Sequence, residues 1–335
     1  KGSGVQIFDL KKKPNGGYFG LLISLRHIIH LYRPDIVHSY MWDANVLSFF
    51  SLKKNFPSKI IFGIRASNLD GRHYGWLSRV LIKIEARLSK YVDHIICNSN
   101  AGRAVAIGRG FPEDRITVIP NGIDTDKFYP DESKKYDQRK RWNIPSSCKV
   151  VGLVARIDPM KDHKTFVRAA ASLSKSSGEI HFVCVGSLEK KQNIIKELSS
   201  IFDQESSSQN LQFVGQSNDI ASVMNAIDVL CLSSAFGEGF PNVIGEAMAC
   251  GTTCVVTNVG DSADVVGEYG QVVPPKNSAK LAKAIITQLN LLNEENSSLA
   301  RKARKRIEER YSINELSQKT IIVIKNVLSS VRLFL

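Results

Sequence analysis

From Val150 onward the chain alternates short apolar runs with longer amphipathic stretches: VVGLVAR, HKTFVRAAASLSK, IHFVCVG, IIKELSSIF, LQFVG, IASVMNAI, DVLCLSS, NVIGEAMAC and TCVVTNVG. Apolar runs without polar alternation suit strands buried on both faces, and such strands separated by helices build a parallel sheet covered on both sides. The pattern predicts a doubly wound α/β domain. The first half repeats the theme less completely. It offers a strand-like VQIFDL, a helix over about 18–31, strands at DIVHS and KIIFGI, a helix over about 76–89, and strands at DHIICNS and ITVIP. Two α/β domains in tandem are expected.

The domains are drawn as 1–125, a linker over 126–147 built on the polar run from Asp126 to Arg141, and 148–312. The remaining 313–335 read as a C-terminal helix that crosses back to the first domain. Its apolar positions Leu316, Ile321, Ile324, Val327, Leu328 and Val331 share one helix face. Asn121-Gly122 marks a turn between the domains.

At 335 residues there is room for two cores, and 43% hydrophobic with 23% charged residues is a globular composition. No apolar run approaches the roughly 18–20 residues that span a bilayer, and no signal peptide opens the chain. A cytoplasmic protein is expected. The sequence starts at Lys1, with VQIFDL almost at once, and reads as a fragment. The six cysteines include no C-x-x-C pair and mostly sit in apolar runs, as reduced buried thiols do. The histidines His27, His30, His73, His94, His163 and His181 lack metal-site spacing, and no metal is expected. Residues 1–147 hold 24 Lys and Arg against 13 Asp and Glu; residues 148–335 hold 21 against 19. A basic first half suits an anionic membrane, a phosphorylated substrate or a solvated surface. Nucleic acid is not expected, because no reading motif or stacking array accompanies the charge.

Ligands of an open parallel sheet gather beyond the carboxyl ends of its strands. In the second domain four loops stand there: RIDPMK (Arg156 to Lys161), Gly186-Ser187, Ser233 to Phe240, and Val259 to Asp261. Arg156 and Lys161 suit a diphosphate, or serve as surface salt-bridge donors. Gly237, Glu238 and Gly239 allow a tight turn into a helix over about 242–249, begun by Pro241 and ended by Gly251. Free amides at that helix start face an anion. Glu238 and Glu246, eight positions apart, could each accept hydrogen bonds from sugar hydroxyls. Glu246 is a lone charge among Gly245, Ala247, Met248 and Ala249, which favours a ligand or a partner cation.

Four segments, ARIDPMKDH, FVGQSNDI, SSAFGEGFPNVIGEAMACGTTCVVTNVGD with its E-x7-E, and PNGIDTDKF, occur in this order, and with them the chain resembles the retaining glycosyltransferases of family four. The resemblance covers the second domain well and the first, from Val5, more loosely. It implies the GT-B fold, two Rossmann-type α/β domains with parallel sheets facing a cleft. It implies transfer of a sugar from a UDP or GDP sugar to a glycan or lipid-linked acceptor, without metal or other cofactor and with retention at the anomeric carbon. Arg156 and Lys161 would bind the diphosphate and stabilise the leaving phosphate, and Glu238 would contact the transferred sugar. Glu246 would hold the ribose hydroxyls. Gln216 and its loop would lie near the base, Gly186 beside the donor, and the Gly239, Phe240, Pro241, Asn242 and Val243 backbone near sugar and phosphate.

The sequence departs from the family at its start, where the usual first strand and glycine-rich loop do not appear, so the first domain is expected to be N-terminally incomplete. The family histidine after a first-domain strand is replaced by Arg65 in GIRASNLD, with His38 a second candidate. Trp42, Asn45 and Asn68 are further acceptor candidates. Membrane contact is expected through Lys11, Lys12, Lys13 and the helix from Tyr18 to Arg33, which could equally pack on the sheet. Two other readings remain: a different enzyme on a similar scaffold, and a nucleotide-sugar-binding protein without transferase activity.

Overall fold

In a computed structural model, residues 4–10, 17–52, 57–65, 76–174, 180–206, 210–294 and 296–330 are described. The chain divides into two compact units, the first comprising 1–98, 102–119 and 319–335, the second 99–101 and 120–318.

In chain order the first unit carries α1 (Tyr18–Tyr32), β1 (Ile36–Tyr40), α2 (Trp42–Ser51), β2 (Lys59–Ile64), α3 (Trp76–Leu88), β3 (His94–Cys97), α4 (Asn100–Gly108, from Gly102 on) and β4 (Ile116–Val118). The four strands are parallel in the order β1-β2-β3-β4. Every residue of β2 is buried, as its unalternating KIIFGI requires. At Gly63 a Cβ would strike the Tyr40 ring and the Ser39 carbonyl, so only glycine lets the two strand ends close. Polar residues beneath the helices are satisfied together. Ser39 Oγ donates to Asn45 Oδ1 at 2.7 Å, Asn45 Nδ2 donates to Glu85 Oε1 at 2.7 Å, and Arg109 Nη2 pairs with Glu85 Oε2 at 2.6 Å.

The expected strand VQIFDL does not form: residues 4–10 carry no regular structure, and Val5 and Ile7 are exposed. An apolar run becomes a strand only where a neighbour offers its backbone groups, and none of the four strands pairs with it.

The second unit continues with α5 (Glu132–Arg141), β5 (Lys149–Val154), α6 (His163–Ser174), β6 (Ile180–Val185), α7 (Gln192–Glu205), β7 (Leu211–Gly215), α8 (Ile220–Ala226), β8 (Val229–Leu232), α9 (Asn242–Ala249), β9 (Thr253–Thr257), α10 (Ser262–Val266), β10 (Gly270–Val273), α11 (Ser278–Glu294), α12 (Asn296–Arg310) and α13 (Ile313–Ser329). The boundary between the units falls inside α13, between Gln318 and Lys319.

The polar run read as linker contains α5. Its decapeptide ESKKYDQRKR has no apolar stripe to announce a helix. What holds it is a cap and one buried cation. Asp131 accepts from the Ser133 and Lys134 amides. Arg139 donates to the Ala226 and Cys148 carbonyls at 2.9 and 3.0 Å and pairs with Asp228 at 2.6 Å.

All six strands are parallel in the order β10-β9-β8-β5-β6-β7. Both faces are covered. Val151, Leu153, Phe182 and Val229 enter one core cluster, and their neighbours Val150, Val183 and Leu230 enter the other. The chain winds outward from β5 through β6 to β7, then returns to the other side of β5 for β8, β9 and β10. The winding therefore reverses between β5 and β8, and the loops leaving those strands diverge there.

Candidate active site

Arg156, Lys161 and Glu238 stand on the two loops that part at this reversal. The loop after β5 ends in a short 3-10 turn, Pro159–Lys161, which starts where the Asp158 carboxylate accepts from the Met160 amide at 2.9 Å. The loop after β8 is stitched to it. Ser233 Oγ donates to the Lys161 carbonyl at 2.9 Å, and the Ala235 amide donates to the Met160 carbonyl at 2.8 Å. A third loop, after β9, closes on the second: Thr257 Oγ1 donates to the Ser234 carbonyl at 2.6 Å, and the Asp261 amide to the Gly239 carbonyl at 3.0 Å. Gly260, at φ +60°, lies so close that a Cβ would collide with the Glu238 carbonyl. Gly186 plays the same part beside β5, where a Cβ would meet the Ala155 carbonyl.

Lys161 and Glu238 face each other at the centre. The ammonium lies 2.5 Å from Glu238 Oε1, and Ser234 Oγ donates to the same oxygen at 2.5 Å. Only 15% and 7% of the two side chains are exposed. The two charges that the sequence offers as separate ligand contacts thus form one buried pair. Arg156 is exposed, and among the described residues no ion pair or hydrogen bond engages it.

Helix α9 begins beside this pair. Pro241 occupies its N-cap, and no side chain caps the first turn; the Ile244 amide donates to the Pro241 carbonyl at 3.1 Å, while the Asn242 and Val243 amides have no intrahelical partner. Phe240 packs its side chain in the core, against the Tyr311 ring at 5.2 Å, and the half-buried Val243 side chain packs on the same cluster. Asn242 is exposed and accepts from Asn121 Nδ2 at 2.8 Å. One turn on, Glu246 is half-buried, and among the described residues no hydrogen bond engages its carboxylate. Burial pushes its carboxyl above the ordinary range, partly offset by Lys127. Gln216 is exposed at the end of the edge strand β7, two strands from the reversal.

Sequence reasoning passed over Ser234 and His163. Ser234, four residues before Glu238, could have been found as a hydroxyl beside a carboxylate. His163 directly follows the loop; it is buried, neither ring nitrogen finds a partner, and burial lowers its pKa to about 4, so it is neutral. Among the described residues no group of three or more His, Cys, Asp or Glu could hold a metal ion.

In the first unit Arg65 is exposed with its guanidinium 4.6 Å over the Tyr40 ring. The His38 ring lies against the same tyrosine at 4.4 Å, and burial, then Arg65, lowers its pKa to about 4. Asn45, read as an acceptor contact, is instead fully buried and committed to Ser39 and Glu85. Trp42 is half-buried at the start of α2. Asn68, His73 and Lys11 to Lys13 lie outside the described residues. Cavities of about 440 and 460 Å³ open at the opposite, amino-terminal end of the second sheet, around Lys149 and Asp228. Asp228 there is already committed to both Lys135 and Arg139, so volume is a poorer guide than chemistry at the strand ends.

Residues 134–306, more than half of the chain, match the family model of the glycosyl transferases group 1. The chain belongs to this family. Residues 3–127 match a second model, that of glycosyltransferase family 4. The group 1 match spans the reversal and every loop described above. The Escherichia coli UDP-Gal:alpha-D-GlcNAc-diphosphoundecaprenol alpha-1,3-galactosyltransferase is 26% identical over 252 residues, 74% of this chain and 64% of that protein. The D-inositol 3-phosphate glycosyltransferase of Corynebacterium urealyticum is 26% identical over 266 residues, 75% of this chain and 62% of that protein. The chain spans under two thirds of either relative. Among solved structures, Anabaena HepE in complex with UDP superposes with a TM-score of 0.80 at 22% identity, covering 91% of this chain and 82% of that one. The fold is that of the GT-B proteins, with two Rossmann-like parallel-sheet units.

Proposed function

We propose that this group 1 family member is a retaining glycosyltransferase. It moves a sugar from a UDP or GDP sugar to a glycan or lipid-linked acceptor in the synthesis of cell-surface polysaccharide or glycoconjugate. The observation that carries the reading is the Lys161–Glu238 pair at the β5/β8 reversal beside the uncapped start of α9. As the glycosyl bond breaks, negative charge grows on the departing diphosphate. Arg156, Lys161 and the α9 amides are fixed positive groups that stabilise it without a metal. Glu238 holds the ammonium in place and, with its second carboxylate oxygen, accepts from a hydroxyl of the transferred sugar. Glu246 takes the ribose hydroxyls, which offset the cost of its burial. The UDP-Gal and diphosphoundecaprenol in the name of the E. coli relative support a uridine donor and a lipid-linked acceptor. The basic balance of residues 1–147 supports peripheral contact with an anionic membrane, on its cytoplasmic face.

A panel of UDP and GDP sugars, read by calorimetry and by donor hydrolysis, tests the proposal. One nucleotide series is expected to bind and turn over, with Glu246→Ala weakening binding. Unchanged binding of the preferred donor in Glu246→Ala would refute the site assignment.

A further inference from the structure

Helix α3 carries an outward face that the donor site does not use. Trp76, Val80, Lys83 and Arg87 follow at spacings of four, three and four, which places them along one stripe, and Lys90 follows in the short 3-10 turn Ser89–Tyr91. All five are exposed, Trp76 at 76%. Lys83, Arg87 and Lys90 make no ion pair among the described residues. The helix has one carboxylate, Glu85; it points inward, 2% exposed, and is spent on Arg109. The stripe is thus a tryptophan and a valine at one end and Lys83 and Arg87 running on from them toward Lys90, with no outward carboxylate on α3 itself.

We propose that this face of α3 docks the first unit on an anionic lipid bilayer. The inference rests on the membrane contact proposed above and assigns it to a surface. Cations near an anionic leaflet attract it within a Debye length, and a tryptophan seats at the headgroup level. The indole and the valine favour a bilayer over a nucleic acid, which would meet the cations but leave both apolar groups in water. Helix α1, the membrane helix expected from sequence, is the poorer surface. Its outward residues Phe19, Ile23 and Leu31 are interleaved with His27, His30 and Arg26, whose guanidinium donates to the Phe50 carbonyl, so no run of cations follows them.

Each cation at an anionic surface contributes roughly fivefold to partitioning. Cosedimentation at low salt with vesicles of mixed phosphatidylglycerol and phosphatidylcholine, against phosphatidylcholine alone, reads the effect. The chain is expected to bind the anionic vesicles only, with a blue shift of tryptophan emission. Lys83→Glu with Arg87→Glu is expected to lower partitioning by about 25-fold or more. Trp76→Ser should abolish most of the blue shift, while Phe19→Ser with Ile23→Ser leaves binding unchanged. Circular dichroism melts check the fold, and Lys83→Gln with Arg87→Gln is the gentler variant. Failure of the unaltered chain to bind anionic vesicles overturns the membrane contact itself. Binding that persists in the α3 variants overturns only the assignment to α3. Binding to single-stranded RNA that Lys83→Glu with Arg87→Glu removes and Trp76→Ser does not, in a chain that ignores vesicles, would show the face to be a nucleic-acid surface instead.

Discussion

Replacing Lys161 with alanine removes the ammonium that lies 2.5 Å from Glu238 and leaves the carboxylate 7% exposed, with Ser234 Oγ still donating to it. Breaking a buried pair by deleting one partner costs about 3–5 kcal/mol. The surviving hydroxyl bond and the 15% exposure of Lys161 place this case near the lower end, at about 3 kcal/mol. In a unit of this size each kcal/mol moves the melting temperature by about 2–4 °C, so Lys161→Ala should melt roughly 6–12 °C below the parent. Glu238→Gln in the same chain removes the stranded charge. The double variant should therefore recover more than half of the loss, a coupling of about 2 kcal/mol. Melts followed by circular dichroism measure all four corners of the cycle, and donor hydrolysis is read beside them. Hydrolysis should fall in Lys161→Ala and stay low in the double variant, because restoring stability does not restore a cation to the leaving phosphate. Lys161→Ala melting within about 1 °C of the parent would refute the reasoning, since a buried partner cannot be lost at no cost.

Other outcomes follow from the same structure. Glu246 is raised by burial above its ordinary value of 4.5. The folded chain therefore binds that proton more tightly than the unfolded one, and the associated stability is full below the ordinary value and lost as pH rises through the folded value. Glu246→Gln should accordingly raise the melting temperature at pH 7, show no advantage near pH 4, and bind donor more weakly. Arg139→Ala should cost about 3 kcal/mol, since it takes the nearer of two cations from Asp228, which keeps Lys135 and the Val150 amide, and unties α5 from the Ala226 and Cys148 carbonyls; faster amide exchange over 132–141 checks it. Burial pushes the Cys97 and Cys250 thiols up to about 12 and those of Cys184, Cys231 and Cys254 higher still. Half-buried Cys148 should therefore be the first to react with a thiol reagent in the native chain, and the other five should wait for unfolding.

The sheet of the second unit was legible because its strands are buried on both faces, and continuous runs such as IHFVCVG have no other use. Helix α9 was legible from its punctuation, Gly-Glu-Gly-Phe-Pro before and Gly251 after, since the φ values at Gly237 and Gly251 are both positive. Two elements escaped for opposite reasons. Helix α5 shows no periodicity because a cap and Arg139, rather than an apolar stripe, hold it. VQIFDL shows the periodicity of a strand without a paired neighbour, and periodicity states which face wants burial, not whether anything covers it. The site was half legible: residue types and loop positions could be read, but the pairing of Lys161 with Glu238, 77 positions apart, depends on where β5 and β8 lie in the sheet.

The Gly260 backbone pressed on the Glu238 carbonyl has a bearing on engineering. Because that loop, the Ser233–Phe240 loop and the Arg156–Lys161 loop share hydrogen bonds and a collision-limited contact, they behave as a single cassette. Exchanging one of them alone for a relative's sequence would break the fit of the other two. Donor preference in this scaffold should be transferable only when all three loops travel together.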